Sequence, residues 1–163
     1  MALFGGIYYW FPKATGRKMS DVLGKIHFWG SFIAINVVFM PMFIQGLAGM
    51  NRRMYDGGEQ YVMNQDVLYL NEIIGMGAWT LGFFQLFFIY NFFNSIKNGE
   101  KVGANPWNAT TLEWQAPSPP PHGNFSEPPV AHRGPYEYSV PGAAQDFVMQ
   151  GEPDQAVADP AKV

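Results

Sequence analysis

Two long apolar runs organise the chain, Ile26 to Leu47 and Ile73 to Ile96, and neither contains a charged residue. At 1.5 Å of rise per residue, each is about as long as a helix must be to cross roughly 30 Å of hydrocarbon. A third apolar run, Met1 to Trp10, is only half that length. It ends in Trp10-Phe11-Pro12-Lys13, an aromatic suited to the membrane interface followed by a proline that stops the helix. The pattern predicts an all-α membrane protein: the end of one transmembrane helix over residues 1–11, then full spans over about 26–47 and 73–96. A Pro-rich tail, extended or disordered, takes up residues 99–163, with order expected to reach at most about residue 129.

Local signals sharpen these elements. Ser20 followed by Asp21 offers an N-cap for the first full span. Pro41 inside that span predicts a kink covered by neighbouring helices. Asn36, at mid-depth, predicts a hydrogen bond to another helix. Glu72 suits the first turn of the second span, where a carboxylate meets the helix N-terminus. Gly75, Gly77 and Gly82 are spaced so that a second helix can approach closely. In the tail, proline density favours polyproline-like backbone, yet Trp107, Trp114 and Phe125 are unlike an ordinary disordered linker. The stretch to about Pro129 is therefore expected to lie along another surface, and residues 130–163 to be mostly disordered.

Bulk composition changes the picture little. A mean hydropathy of −0.07 averages a very apolar first part with a polar, proline-rich last part. The absence of cysteine excludes disulfides and thiolate metal sites, and a net charge of −3 argues against nucleic acid as a partner. The start, Met1-Ala2-Leu3-Phe4, has no basic n-region, so no cleavable leader is expected. Lys13, Arg17, Lys18 and Lys25 make the first loop basic, and Lys97 and Lys101 do the same for the exit of the second span. The positive-inside rule then places that loop and the tail in the cytoplasm and the loop over residues 48–72 outside.

That orientation leaves Arg52 and Arg53 on the disfavoured side. The pair reads either as interfacial anchors among headgroups or as a fork-shaped clamp for carboxylates, and the residues alone do not choose. Asp56 and Glu59, or the carboxylates of a bound cofactor, are the acids that would compensate them. His27, at the entrance of a span, reads as a hydrogen-bonded helix-interface residue, and no metal site is expected around it. The Met and Phe stripes, such as Met40, Met42, Phe83 and Phe84, read as lipid-facing or helix-packing. No nucleophile–base pair, phosphate loop or paired carboxylate is evident, so no catalytic centre is expected on these residues.

Several separated motifs, in one order, carry a resemblance. Phe4-Gly5-Gly6-Ile7-Tyr8-Tyr9-Trp10-Phe11-Pro12-Lys13, Gly16-Arg17, Gly24-Lys25-Ile26-His27-Phe28 and the run Gly46-Leu47-Ala48-Gly49-Met50-Asn51-Arg52-Arg53 come first. Asn105-Pro106-Trp107, Thr111-Leu112-Glu113-Trp114 and Pro119-Pro120-Pro121 follow in the tail. Together, from Ala2 to about Pro129, they resemble the C-terminal end of subunit I of cytochrome c oxidase, the large subunit of the haem–copper terminal oxidases.

The resemblance implies that residues 1–10 end the tenth helix of a twelve-helix subunit and that the two full spans are the eleventh and twelfth. It implies that Arg52 and Arg53 bind the propionates of two haems, and that Asp56 lies where some members hold calcium or sodium. It further implies an intact enzyme that reduces oxygen to water with electrons from cytochrome c and pumps protons. Its copper would be liganded outside this chain. The remainder of subunit I, subunits II and III and membrane lipid are the implied partners, in a bacterial plasma membrane or an inner mitochondrial membrane. Asn51 stands where the family usually has proline before the arginines, and Phe43 where it often has histidine. The haem-iron histidines, the copper ligands and the proton-channel residues lie outside the sequence. A quinol oxidase and a non-catalytic two-span protein packing on an oxidase are the alternatives.

Overall fold

The computed structural model describes residues 1–54, 56, 62–134, 136 and 147–153. Three helices dominate, α1 (Ala2–Thr15), α2 (Asp21–Leu47) and α3 (Leu70–Asn98), with 3-10 turns at Val62–Val67 and Leu112–Trp114. Helices α2 and α3 are long and apolar enough to cross a membrane. They begin before and, for α3, end after the apolar runs, because polar residues add turns at the interface without breaking the backbone ladder. A departure from a purely helical plan is a short antiparallel ribbon of β1 (Arg17–Lys18) and β2 (Glu100–Lys101).

The chain divides into two compact units, residues 20–97 with Met1, and residues 2–19 with 98–163. In the first, the residues that α2 buries are His27, Ser31, Ala34, Val38, Pro41 and Gln45. Their alternating spacing of four and three is the 3.5-residue period of a helix seam. Along α3, Leu70, Gly77 and Asn91 are buried at multiples of seven, with Ser95 one turn further on. The seam is small and polar rather than apolar, as expected where lipid is as hydrophobic as leucine.

Polar ties fasten the seam at three levels. Asn91, fully buried, accepts from the Ser20 N–H and donates to the Ser20 carbonyl, each at 3.0 Å, and accepts from Ser95 Oγ at 3.1 Å. Gln85 lies 3.3 Å from His27 Nε2 and donates to Ser31 Oγ at 3.0 Å. Gln45 Nε2 donates to the Val67 carbonyl at 3.1 Å and to Asn71 Oδ1 at 2.8 Å. Of the three glycines expected to admit a helix, only Gly77 does: a Cβ there would stand 3.0 Å from Val37 and 3.1 Å from Val38. Gly75 and Gly82 have open space around them, whereas a Cβ at Gly30 would run into the Phe84 ring.

Other expectations at this scale fare variously. Ser20 caps α2, accepting from the Leu23 N–H at 3.5 Å, and Glu72 sits in the first turn of α3. Pro41 lies inside an unbroken helix. Asn36 does not reach another helix; it is exposed and donates to the Phe32 carbonyl of its own helix at 2.7 Å. An amide that faces no partner helix turns to its own i−4 carbonyl, the nearest acceptor.

The second unit joins α1 to the tail. Pro12 does not end α1. The helix runs on to Thr15 and closes with Gly16 N–H on the Pro12 carbonyl at 2.8 Å. A proline removes one ladder bond and can be carried through where packing holds both sides, and Phe11 and Pro12 are both buried. Gly16 then turns with φ +68°, and a Cβ there would meet the Ser118 carbonyl at 3.2 Å. Tyr9 receives both tail indoles: Trp114 Nε1 donates to its hydroxyl and Trp107 Nε1 to its carbonyl, each at 2.9 Å. Trp107 stacks on the same ring, and Trp114 meets it edge-on. Lys13 donates to the Ala104 and Ala116 carbonyls at 3.0 and 2.6 Å, with its ammonium 5.0 Å above Trp114. Burial pushes the Lys13 ammonium below the usual lysine range, and the Glu113 carboxylate pulls it back up.

Packing also extends past residue 129, the expected limit of order. Gln150 is buried; its N–H donates to the Thr110 carbonyl and its own carbonyl accepts from His132 N–H, each at 2.8 Å. Its side chain accepts from Leu112 N–H at 3.0 Å and donates to the Arg133 carbonyl at 3.1 Å. One glutamine placed among backbone groups holds a segment that composition alone reads as loose.

Candidate cofactor-binding site

The end of α2 builds the site. Gly49 N–H bonds the Gly46 carbonyl at 3.1 Å and Met50 N–H bonds the Gln45 carbonyl at 3.0 Å. This crossed pair terminates a helix through a left-handed residue, and Gly49 has the required φ of +85°. The glycine-rich run before the arginines is therefore a stop that throws the next residues clear of the helix axis. Arg52 and Arg53 follow in a turn, both exposed, with Arg53 itself at φ 59°. An arginine in that region is uncommon.

The two guanidiniums edge a cleft of about 1310 Å³ in the first unit. Its walls include Asn36, Phe39, Met40, Phe43, Gln45 and Asn71, and none of the described residues lining it is acidic. Phe39, Met40 and Phe43 are each more than half exposed, an apolar face that the described residues leave without cover. Gln45, through its bonds to Val67 and Asn71, fixes the start of α3 against the end of α2 and so holds the floor of the cleft.

A cationic lip beside an apolar, partly aromatic wall fits a flat hydrophobic group that ends in carboxylates: guanidinium forks take carboxylate oxygens in bidentate fashion, and the wall takes the ring. It does not fit the metal of such a group. No histidine lines the cleft, and among the described residues no three His, Cys, Asp or Glu side chains gather to hold an ion. Asp56 lies partly exposed in a turn, and Glu59 lies outside the described residues. His27 stands at the other end of α2, buried against Gln85 and Phe88.

The sequence singled out the arginines and the residues around Phe43 but not Gln45, Asn71 or the Arg53 conformation. Gly46 and Gly49, three apart at the close of an apolar run, were the available signal for the helix stop. The amide pair had none.

Comparison with known proteins bears on the family of the chain. Residues 1–80 match the family described as Cytochrome C and Quinol oxidase polypeptide I. The chain is 47% identical over 155 residues to the alternative cytochrome c oxidase subunit 1 of Bradyrhizobium diazoefficiens, covering 94% of this chain and 26% of that protein. It is 46% identical over 141 residues to cytochrome c oxidase subunit 1 of Synechocystis, covering 85% of this chain and 24% of that protein. A 41% identity over 140 residues relates it to the same subunit of Thermostichus vulcanus, again covering 85% of this chain and 24% of the relative. The chain thus spans about a quarter of the length of the curated relatives it matches.

Proposed function

The chain belongs to the cytochrome c and quinol oxidase polypeptide I family, and on that premise we propose that it serves as the C-terminal part of the catalytic subunit of a terminal oxidase. Its role there is to complete the helical bundle with α2 and α3 and to hold haem propionates with Arg52 and Arg53. The observation that carries this reading is the arginine pair, set at a helix stop on the lip of a cleft with an apolar wall and no described acidic residue.

In the intact enzyme, haem and copper supply the one-electron chemistry by which oxygen becomes water. This chain's residues bind and orient. Arg52 and Arg53 offer charge-assisted hydrogen bonds to carboxylates, stronger and more directional than neutral ones. Phe39, Met40 and Phe43 exclude water from the same space, which lowers the local dielectric and strengthens those contacts. The relatives are named as cytochrome c oxidase subunits, which favours cytochrome c as the donor over quinol, the other donor of the family. Subunits II and III, the rest of subunit I and a bacterial plasma membrane belong to the same reading, with the Arg52–Arg53 turn outside and the tail in the cytoplasm.

Spectroelectrochemistry of the purified complex tests it. Arg53→Gln should lower a haem midpoint potential, because it removes a cation that favours the reduced state; the shift is bounded by roughly 1.5–3 kcal/mol, the worth of a hydrogen bond to a charged group. Arg53→Lys should recover part of the shift, keeping the charge without the fork. Haem potentials and haem content unchanged in Arg52→Gln, Arg53→Gln and the double variant would sink the assignment.

A further inference from the structure

The two-stranded ribbon distributes its charges unevenly. In its antiparallel register Arg17 is opposite Lys101, and Lys18 is opposite Glu100. Successive residues of a strand point to opposite faces, so one face carries two cations and the other a complementary pair. Directly opposed like charges destabilise a strand pair, and the ribbon's backbone bonds do not depend on these side chains. Arg17 Nη1 donates to the Gly99 carbonyl at 2.7 Å, which anchors one edge of the guanidinium and leaves the rest of its fork for another acceptor. Lys101 is exposed.

Chain length also keeps the ribbon close to the end of a membrane span. Lys101 follows the last apolar residue of α3, Ile96, by a helical turn's end and three extended residues, at most about 13 Å along the chain. Arg and Lys stems reach back over part of that distance, toward the headgroup layer. Trp107, with the Lys18 ammonium 5.4 Å from its ring, and the half-exposed Trp10 belong to the same unit. Amphipathic indoles of this kind favour the membrane interface.

We propose that the Arg17–Lys101 face of the ribbon seats the phosphodiester of an anionic phospholipid. The inference rests on the reading of α2 and α3 as membrane spans and is independent of the haem assignment. The guanidinium fork takes two phosphate oxygens and the ammonium supplies a second charge. The lipid's phosphate offsets the cation pair, and its acyl chains remain in the bilayer.

The intact complex, reconstituted in phosphatidylcholine with a trace of nitroxide-labelled phosphatidylglycerol or phosphatidylcholine, tests this by the fraction of label that is motionally restricted. The wild-type complex should prefer the phosphatidylglycerol label. Lys101→Gln, at an exposed position that leaves packing intact, should cut the preference roughly fivefold, the effect of one cation near an anionic surface. Arg17→Gln with Lys101→Gln should abolish it, while Lys18→Gln, on the opposite face, should retain it. Three results would overturn the proposal: a preference unchanged in Lys101→Gln and the double variant, an equal loss in Lys18→Gln, which would mean diffuse charge, or displacement of the label by inorganic phosphate, which would mean a free-anion site.

Discussion

Tyr9 shows how much of this protein rests on single side chains. Its hydroxyl is the acceptor for the Trp114 indole, and Trp114 is 1% exposed. Tyr9→Phe keeps the ring against both tryptophans but strands a buried N–H, which costs roughly 1–3 kcal/mol. Trp114→Ala removes the packing as well, at roughly 3–5 kcal/mol. Limited proteolysis of the intact complex should therefore cleave the tail faster in Tyr9→Phe than in wild type, and much faster in Trp114→Ala. Equal cleavage rates would mean that the indole bonds do not hold the tail. The sequence showed that Trp107 and Trp114 require a surface, since large aromatics in a proline-rich stretch must be covered. It did not show which surface, because the matching feature on α1 is one hydroxyl and one carbonyl of Tyr9, neither of which leaves a periodic trace. The arginine pair was legible for the opposite reason: two adjacent cations at the end of an uncharged run stand out by type alone.

At the scale of the element, the helices were legible by length and their mutual face was not. An apolar residue on α2 or α3 suits lipid and protein alike, so hydrophobic periodicity cannot select the buried side. What selects it is the small and polar set Ser31, Ala34, Gln45, Gly77, Asn91 and Ser95, which recurs with a 3.5-residue period. Glycine spacing within α3 pointed to three positions of which one is a contact, and Gly30 on α2 is the tighter approach. Gly30→Ala should destabilise the α2–α3 pair by roughly 1–3 kcal/mol, because the ring of Phe84 has to move. Gly82→Ala, which adds a methyl to open space, should be neutral or stabilise by up to about 1 kcal/mol through helix propensity. Denaturant-detergent titration of the complex, followed by helical circular dichroism, ranks the two. Gly82→Ala proving the more damaging would overturn the seam.

At the scale of the whole molecule the question is which side of the membrane each loop faces. Trp29, Phe39, Phe83, Trp79 and Phe93 are all more than half exposed on α2 and α3, surface that water would not tolerate in such amount but that lipid or neighbouring helices cover. The cations Lys13, Arg17, Lys18, Lys25, Lys97 and Lys101 flank the entrance of the first span and the exit of the second. With two crossings, those flanks share one side, and by the positive-inside rule the proposed side is the cytoplasm. These 163 residues contain no cysteine, so in a complex whose other cysteines are replaced, single thiols report each side. Ala48→Cys lies just past the end of α2 and Ser126→Cys in the tail, and both positions are exposed. In intact cells a membrane-impermeant maleimide should label Ala48→Cys at once and Ser126→Cys only after the membrane is opened. Labelling of both from outside would mean that α3 does not cross. The reverse order would put Arg52 and Arg53 on the cytoplasmic face, where arginines need no compensating carboxylate and the propionate reading loses its electrostatic support.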